Sequence, residues 1–141
     1  MVRQETDKDC GAAALAMVLS HLGDREPMLE IPSARADALR DAARSRGYSA
    51  FCLYAKIQDL KSEVASGRPV IVGMVKSTLA GPVNHYEVVV GLHADGRVAT
   101  LDPARGLTVF PPGGFESEWI ASGRVAIIVG PKESGPPEAS R

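Results

Sequence analysis

Apolar positions recur first at helical spacing and later in short continuous runs. Residues 10–22 are apolar or small on nearly every face, and Gly23 follows them. The larger side chains of this segment form one stripe, at Leu15, Val18, Leu19 and Leu22. Asp9 is a favourable N-cap and glycine a common helix end. Because a helix that is apolar on all faces is usually buried, the pattern predicts a central helix over Cys10 to Leu22.

The rest of the chain predicts two more helices and a set of strands. An amphipathic helix is expected over Ala34 to Arg46, between Ser33 and Gly47, and a shorter one over Ile57 to Ala65. Apolar, β-branched runs predict strands over Tyr48 to Tyr54, Pro69 to Val75, His85 to His93, Arg97 to Asp102, Leu107 to Phe110 and Arg124 to Gly130. Phe115 to Ala121 is expected to form a helical turn. Helices followed by an antiparallel sheet predict an α+β fold.

Size and charge narrow the function classes. The 141 residues fit one domain. The 16 basic and 17 acidic residues leave a net charge of -1, which argues against a nucleic-acid-binding module. The first nine residues lack the apolar core of a signal peptide, and the chain has no apolar run of membrane-spanning length. Pro131 to Arg141 holds three prolines and no large apolar residue, so we expect a disordered tail or linker after a domain of residues 1–130.

Cys10 is the candidate nucleophile. In the first turn of a helix, a cysteine lies near unpaired N–H groups and the positive end of the helix dipole, and both favour the thiolate. Gly11 is expected to leave space beside the sulfur for a substrate backbone. Alternatively, Cys10 is a small buried residue, as many free cysteines are. Cys52, inside an apolar strand with no polar company, is interpreted as structural.

A thiol nucleophile needs an imidazole base, and the three histidines differ in placement. His21 lies about 16 Å along the helix from Cys10 and is too far away. His93 precedes the Asp95-Gly96 pair, a strong hairpin-turn sequence, and is expected at a solvated hairpin end. His85 follows a loop rich in glycine and proline and begins a strand, so it is the candidate base. The scattered histidines show no metal-binding spacing, and no metal or cofactor is predicted.

Asp102 and Gln4 are the candidate supporting groups. A two-residue turn at Asp95-Gly96 places Asp102 opposite Val89, on the same face as His85 but about 13 Å from it along ideal strands. Asp102 would orient the imidazole if the chain bends or the register differs. The Gln4 amide, with the backbone N–H of Cys10, could donate to an oxyanion. Gly11, with Asn84 and Tyr86 on either side of His85, completes the candidate substrate-binding set.

Three motifs in order resemble those of the peptidase C39 family. Gln4-x-x-x-x-Asp9-Cys10-Gly11 before an alanine-rich helix resembles the cysteine motif of that family. The segments from His85 to Gly91 and from Leu101 to Gly106 resemble its histidine and Asp-Pro motifs, and Phe115 to Val129 its closing segment. The resemblance implies a papain-like fold, with Cys10 as nucleophile, His85 as general base, Asp102 as orienting carboxylate and Gln4 as oxyanion donor.

The resemblance also implies a substrate and a setting. Members of the family are typically domains of bacterial ABC exporters that cut a leader peptide from a bacteriocin-like precursor after a Gly-Gly pair. A peptide precursor, an ABC transporter in cis or in trans, and a cytoplasmic location, at the inner membrane face if attached to an exporter, are therefore expected. Asp24 to Ser33 is shorter than the matching stretch of those exporters. Lys76 to Asn84 is interpreted as a loop that covers the cleft.

Two alternatives remain open at the level of sequence. The first is a stand-alone papain-like cysteine hydrolase with another peptide or protein substrate, such as a cell-wall peptide. The second is a non-catalytic substrate-binding domain on the same fold. A domain of the second kind is expected to have lost its cysteine, whereas Gln4, Cys10, His85 and Asp102 are all present here.

Overall fold

The protein is represented by a computed structural model, which describes residues 10–25 and 35–132. Within those ranges lie four helices, α1 (Cys10–His21), α2 (Ala36–Ser45), α3 (Ile57–Ala65) and α4 (Gly114–Ala121). The strands of the same ranges are β1 (Tyr48–Tyr54), β2 (Val70–Thr78), β3 (Gly81–Leu92), β4 (Val98–Asp102), β5 (Gly106–Phe110) and β6 (Val125–Lys132). No helix of the described ranges is long and apolar enough to cross a membrane.

The six strands form one antiparallel sheet in the order β1-β6-β2-β3-β4-β5. Apolar side chains alternate between its two faces, as the period of a strand requires. Ile71 joins the core formed with α1 and α2, whereas its neighbours Val70 and Val72 join the core formed with α3 and α4. The predicted α+β fold, with a cysteine at the start of a helix packed on an antiparallel sheet, is confirmed.

Helix α1 packs on the sheet mainly through β3, and nine of its twelve residues are buried. Its alanine-rich composition explains this position, because small side chains allow a helix to approach its neighbours from several sides. Helix α2 is amphipathic and turns Leu39 and Ala43 inward. It begins at Ala36 after an N-cap at Arg35, so the predicted start at Ala34 was too early. The predicted caps Asp9 and Ser33 lie outside the described residues.

Strands β2 and β3 extend much further than predicted and form a long hairpin. Their pairing continues from Val70↔Val89 to Thr78↔Gly81. The predicted loop from Lys76 to Asn84 is therefore strand on both sides of a tight turn, and the interpretation of this segment as a loop was wrong. Its polar side chains hid the strand pattern, although exposed strand ends tolerate polar residues because the backbone supplies the pairing.

Smaller differences concern element ends. Residues 114–121 form the helix α4 rather than a single helical turn. Strand β6 continues through Pro131 and Lys132, beyond the predicted domain end at residue 130. The remainder of the predicted tail, residues 133–141, lies outside the described residues.

The register between β3 and β4 brings Asp102 closer to His85 than predicted. The backbone N–H of His93 donates to the carbonyl of Arg97, so three residues form the turn instead of two. A second shift of one residue occurs between Val89 and Gly91. Val88 therefore pairs with Leu101, and the same register continued by one residue places Asp102 opposite Glu87. The predicted pairing of Asp102 with Val89 was wrong, because a sequence does not reveal a β-bulge.

Candidate functional site

Three separate elements bring Cys10, His85 and Asp102 together. Cys10 is the first residue of α1, His85 lies within β3, and Asp102 ends β4. All three are buried, with 2%, 9% and 1% of their surface exposed. The prediction that His85 begins its strand was wrong, because β3 starts four residues earlier at Gly81.

Asp102 holds one nitrogen of the His85 imidazole. Its Oδ1 lies 2.8 Å from Nε2 of His85. The same oxygen accepts the backbone N–H of Ala104 at 2.8 Å, and Oδ2 accepts the Nε–H of Arg105 at 3.3 Å. Burial alone would raise the pKa of Asp102, but the hydrogen bonds from His85, Ala104 and Arg105 outweigh it and hold this pKa well below its usual range. Asp102 is therefore ionised at neutral pH.

The other side of the imidazole faces Cys10. Burial lowers the pKa of His85, but the hydrogen bond to Asp102 and the interaction with the Cys10 side chain outweigh burial and raise it to about 9. Because Asp102 takes Nε2, Nδ1 is the nitrogen left for the thiol. The arrangement places an imidazole, held by a carboxylate that stabilises its charged form, beside the candidate thiol nucleophile.

Gly11 packs α1 against its neighbours. A Cβ atom at this position would lie 3.1 Å from Cδ2 of Leu39 and 3.3 Å from Cδ2 of Tyr86. The space on the Cβ side of Gly11 is therefore filled, and the predicted open space beside the Cys10 sulfur stays a prediction. Any contact of Gly11 with a substrate would involve its backbone and stays a prediction.

Asn84 and Tyr86 flank His85 on the wall of a cleft of about 720 Å³. Asn84 is exposed, whereas Tyr86 is 9% exposed and contacts the start of α1. Burial, followed by the influence of Cys10, raises the pKa of Tyr86 to about 12. The cleft is also lined by residues of α2, β1, β2, the end of α4 and the start of β6. Asn84 is thus accessible from the cleft and Tyr86 is largely buried, and the contact of either residue with a substrate stays a prediction.

Cys52 also lines this cleft and has a polar partner, in contrast to the prediction. Its Sγ–H donates to the backbone carbonyl of Ala36 at 3.1 Å. Burial raises the pKa of the Cys52 thiol above its ordinary value, which disfavours the reactive thiolate. The other two histidines lie elsewhere: the ring of His21 is bonded to the carbonyl of Gly67, and His93 is exposed at the β3–β4 turn.

A buried acid that the sequence analysis did not single out lies beside the imidazole. Glu87 is fully buried, and its Oε2 is 3.9 Å from Nε2 of His85. Its Oε1 accepts the Thr100 hydroxyl at 2.6 Å, and Oε2 is paired with Nζ of Lys76 at 2.6 Å. A charged residue within the apolar run His85–Gly91 was the available indication, because a charge on a buried strand needs a partner.

His85, Glu87 and Asp102 also form a cluster of potential metal ligands, and it is the only such cluster found in the described ranges. One donor atom each from His85, Glu87 and Asp102 lie within 4.8 Å of one another. The ammonium of Lys76 already neutralises Glu87, and Asp102 is engaged with His85 and Arg105. These contacts satisfy the donors without a metal ion, and we assign no metal role to them.

Gln4, the predicted oxyanion donor, lies outside the described residues. Its role therefore stays a prediction.

Comparison with known proteins gives one family. The sequence profile described as the peptidase C39 family matches residues 1–134. No curated protein matched the chain in a sequence comparison.

Solved structures resemble the fold over nearly its whole length. The peptidase domain of Streptococcus ComA, a bifunctional ABC transporter of a quorum-sensing pathway, is 25% identical, with a TM-score of 0.73 over 93% of this chain and 97% of that one. The peptidase domain of Streptococcus mutans ComA is 26% identical, with a TM-score of 0.66 over 93% and 98%. A double-glycine-motif protease from an AMS/PCAT transporter, solved with the leader peptide, is 24% identical, with a TM-score of 0.65 over 94% and 90%.

Proposed function

Because the chain belongs to the peptidase C39 family, we propose that it is a cysteine peptidase that removes a leader peptide after a Gly-Gly pair. The observation that carries the proposal is the linked arrangement of Cys10, His85 and Asp102, with 2.8 Å between His85 Nε2 and Asp102 Oδ1. The Gly-Gly preference is supported by the structural relative described as a double-glycine-motif protease.

The proposed reaction is acyl transfer through a thioester. The Cys10 thiolate attacks the scissile carbonyl, and the His85 imidazolium gives its proton to the leaving amine as the C–N bond breaks. Neutral His85 then takes a proton from water, which attacks the thioester and restores the Cys10 thiolate. Asp102 keeps the ring in place and stabilises its charged form. The backbone N–H of Cys10 and the amide of Gln4 are the proposed oxyanion donors, and such a donor contributes about 3 kcal/mol in comparable sites.

The proposed peptidase function also implies a substrate and a partner protein. The substrate is a peptide precursor whose leader ends in Gly-Gly, and an ABC transporter, joined in cis or recruited in trans, exports the product. This assignment places the domain at the cytoplasmic face of the membrane. It is supported by the relatives described as peptidase domains of ABC transporters.

Peptide cleavage tests the proposal directly. Precursor peptides with a Gly-Gly leader are compared with matched peptides in which the second glycine is alanine, and mass spectrometry locates the cut. Cleavage after Gly-Gly is expected for the wild type and for Cys52→Ala, and is expected to be lost with Cys10→Ala. Cut sites elsewhere would favour a papain-like hydrolase with another substrate.

A thiol-reactive probe separates the remaining alternatives if no peptide is cut. Faster labelling of Cys10 than of Cys52 would show an active nucleophile whose substrate lies outside the panel. Equal labelling would contradict a catalytic role for Cys10 and would favour the non-catalytic binding domain.

A further inference from the structure

Two carboxylates, not one, face the Nε2 atom of His85. Asp102 is hydrogen-bonded to it at 2.8 Å, and Oε2 of Glu87 lies 3.9 Å away. Both acids are buried, with 1% and 0% of their surface exposed. Charges at such short separations in a dry environment interact strongly, because little water lies between them to screen the field. The proposed reaction uses Asp102 but leaves Glu87 without a role.

Glu87 is held from both sides by a hydrogen bond and an ion pair. A carboxyl group buried without partners would take up a proton. Here Thr100 donates a hydrogen bond to Oε1 at 2.6 Å, and the ammonium of Lys76 lies 2.6 Å from Oε2. Burial lowers the pKa of Lys76, but its contacts with Glu118 and Glu87 outweigh burial and raise it. Lys76 is therefore positively charged beside Glu87. Its Nζ atom also lies 2.6 Å from Oε1 of Glu118.

We infer that Glu87 is a positioning residue that acts through His85. Its buried negative charge stabilises the imidazolium form of the ring, and Lys76 together with Thr100 keeps this charge in place. The inference rests on the proposed function in one respect: the imidazolium is the form that must donate a proton to the leaving amine. Glu87 thus extends to higher pH the range in which His85 keeps the proton that it must donate to the leaving amine.

The other charged groups around His85 define what the test must separate. Cys10 of α1 and Asp102 of β4 contact the ring directly. Arg105 pairs with Asp102, and Tyr86 adjoins His85 on β3. Lys76 of β2 pairs with Glu87, and Glu118 of α4 pairs with Lys76, so these two charges are linked to the ring through Glu87. Glu118 is the matched control for Glu87, since both pair with Lys76 but, of these two acids, only Glu87 has an ion-pair distance to His85 in the described residues.

The test is the titration of His85 itself. In protein labelled with ¹⁵N-histidine, the ring nitrogens are followed by NMR across pH 5 to 10, with the other two histidines assigned by single substitutions. Glu87→Gln keeps the size of the side chain and an acceptor for Thr100 but removes the charge. We expect Glu87→Gln to lower the pKa of His85 by about one unit, the low end for an opposite charge at this distance. Glu118→Gln is expected to leave it unchanged.

Two results would overturn the inference. One is a folded Glu87→Gln protein whose His85 titrates as in the wild type. The other is an equal shift with Glu118→Gln, because the effect would then come from the Lys76 network as a whole. These measurements use no substrate, so they are independent of whether the protein cuts Gly-Gly peptides.

A measurement on the wild type covers the case in which Glu87→Gln does not fold. The side-chain carboxyl carbon of Glu87 has different chemical shifts in its ionised and protonated forms. We expect the ionised position at pH 7 and a further change as His85 loses its proton at higher pH. A protonated Glu87 at pH 7 would contradict the inference.

Discussion

Nε2 of His85 and Oδ1 of Asp102 lie 2.8 Å apart, although the residues are 17 positions apart in the sequence. The three-residue turn after His93 and the register shift between Val89 and Gly91 make this contact. Each shifts Asp102 by one residue toward His85 relative to a simple hairpin. The site therefore depends on irregularities of the β3–β4 pairing as well as on the identity of its residues.

Replacing Cys10 is expected to abolish peptidase activity with little effect on the fold. Cys10→Ala removes the nucleophile but keeps a small apolar residue at a buried position, so we expect kcat/KM to fall by at least about a thousandfold. Cys52→Ala is the control and is expected to retain most of the activity. Steady-state kinetics on a Gly-Gly peptide measure both. Residual activity of Cys10→Ala near the wild-type value would contradict the role of Cys10.

Asp102→Asn is expected to lower activity by about 10²–10⁴-fold, because the amide cannot stabilise the imidazolium as a carboxylate does. The alkaline limb of the pH profile should also move to lower pH, since the pKa of His85, about 9, depends on Asp102. The kcat/KM profile of both proteins between pH 5 and 10 measures this. An unchanged alkaline limb would show that Asp102 does not set the protonation of His85.

Stability is expected to depend on pH through the same pair. The folded-state pKa of His85, about 9, is above the usual value of 6.5. Its contribution is therefore complete below about pH 6.5 and is lost as the pH rises toward 9. For Asp102 the folded-state pKa is lowered, so its contribution is present above about pH 4 and is lost in acid.

Urea unfolding at several pH values measures this dependence. We expect the free energy of unfolding to fall by about 1–3 kcal/mol between pH 6 and 10. Asp102→Asn should reduce the fall, because it lowers the pKa of His85 in the folded state. An equal fall in both proteins would mean that other groups cause it.

Gly11→Ala is expected to destabilise the protein. The added methyl group would lie 3.1 Å from Leu39, whose side chain is fully buried. Alanine favours a helix by about 1 kcal/mol over glycine, while overpacking costs about 1–3 kcal/mol, so a net loss of about 1 kcal/mol is expected. Gly91→Ala is the control, because its Cβ would meet Ala99 at an ordinary 3.5 Å. A Gly11→Ala protein as stable as the wild type would show that Leu39 gives way.

Lys76→Met is expected to destabilise the protein by about 3 kcal/mol, because it leaves Glu87 as an uncompensated buried acid. Glu118→Gln breaks the more exposed half of the same network, and a loss of less than about 1 kcal/mol is expected. Chemical denaturation at pH 7 compares the two variants. Similar losses would indicate that Lys76 serves mainly as a surface ion-pair partner.

Most elements could be predicted because their side chains carry the pattern of burial. Helix α1 has apolar residues on all sides, and strand β1 and helix α3 have the predicted bounds. The β2–β3 hairpin end escaped prediction because the backbone, not apolar side chains, holds it together. Glu87 escaped for a different reason: its partners Lys76 and Thr100 come from two other strands.

The sequence alone determined the fold class and the residue types of the chemistry, since periodicity and three ordered motifs are local properties of the chain. Cys10, His85 and Asp102 were identifiable in this way. The tertiary structure decided how they meet: a bulge and a turn set the register of Asp102, and packing filled the space beside Gly11. It also placed the charge of Glu87 beside His85. Such distances depend on which strands pair and in which register, and these follow from contacts between residues far apart in the chain.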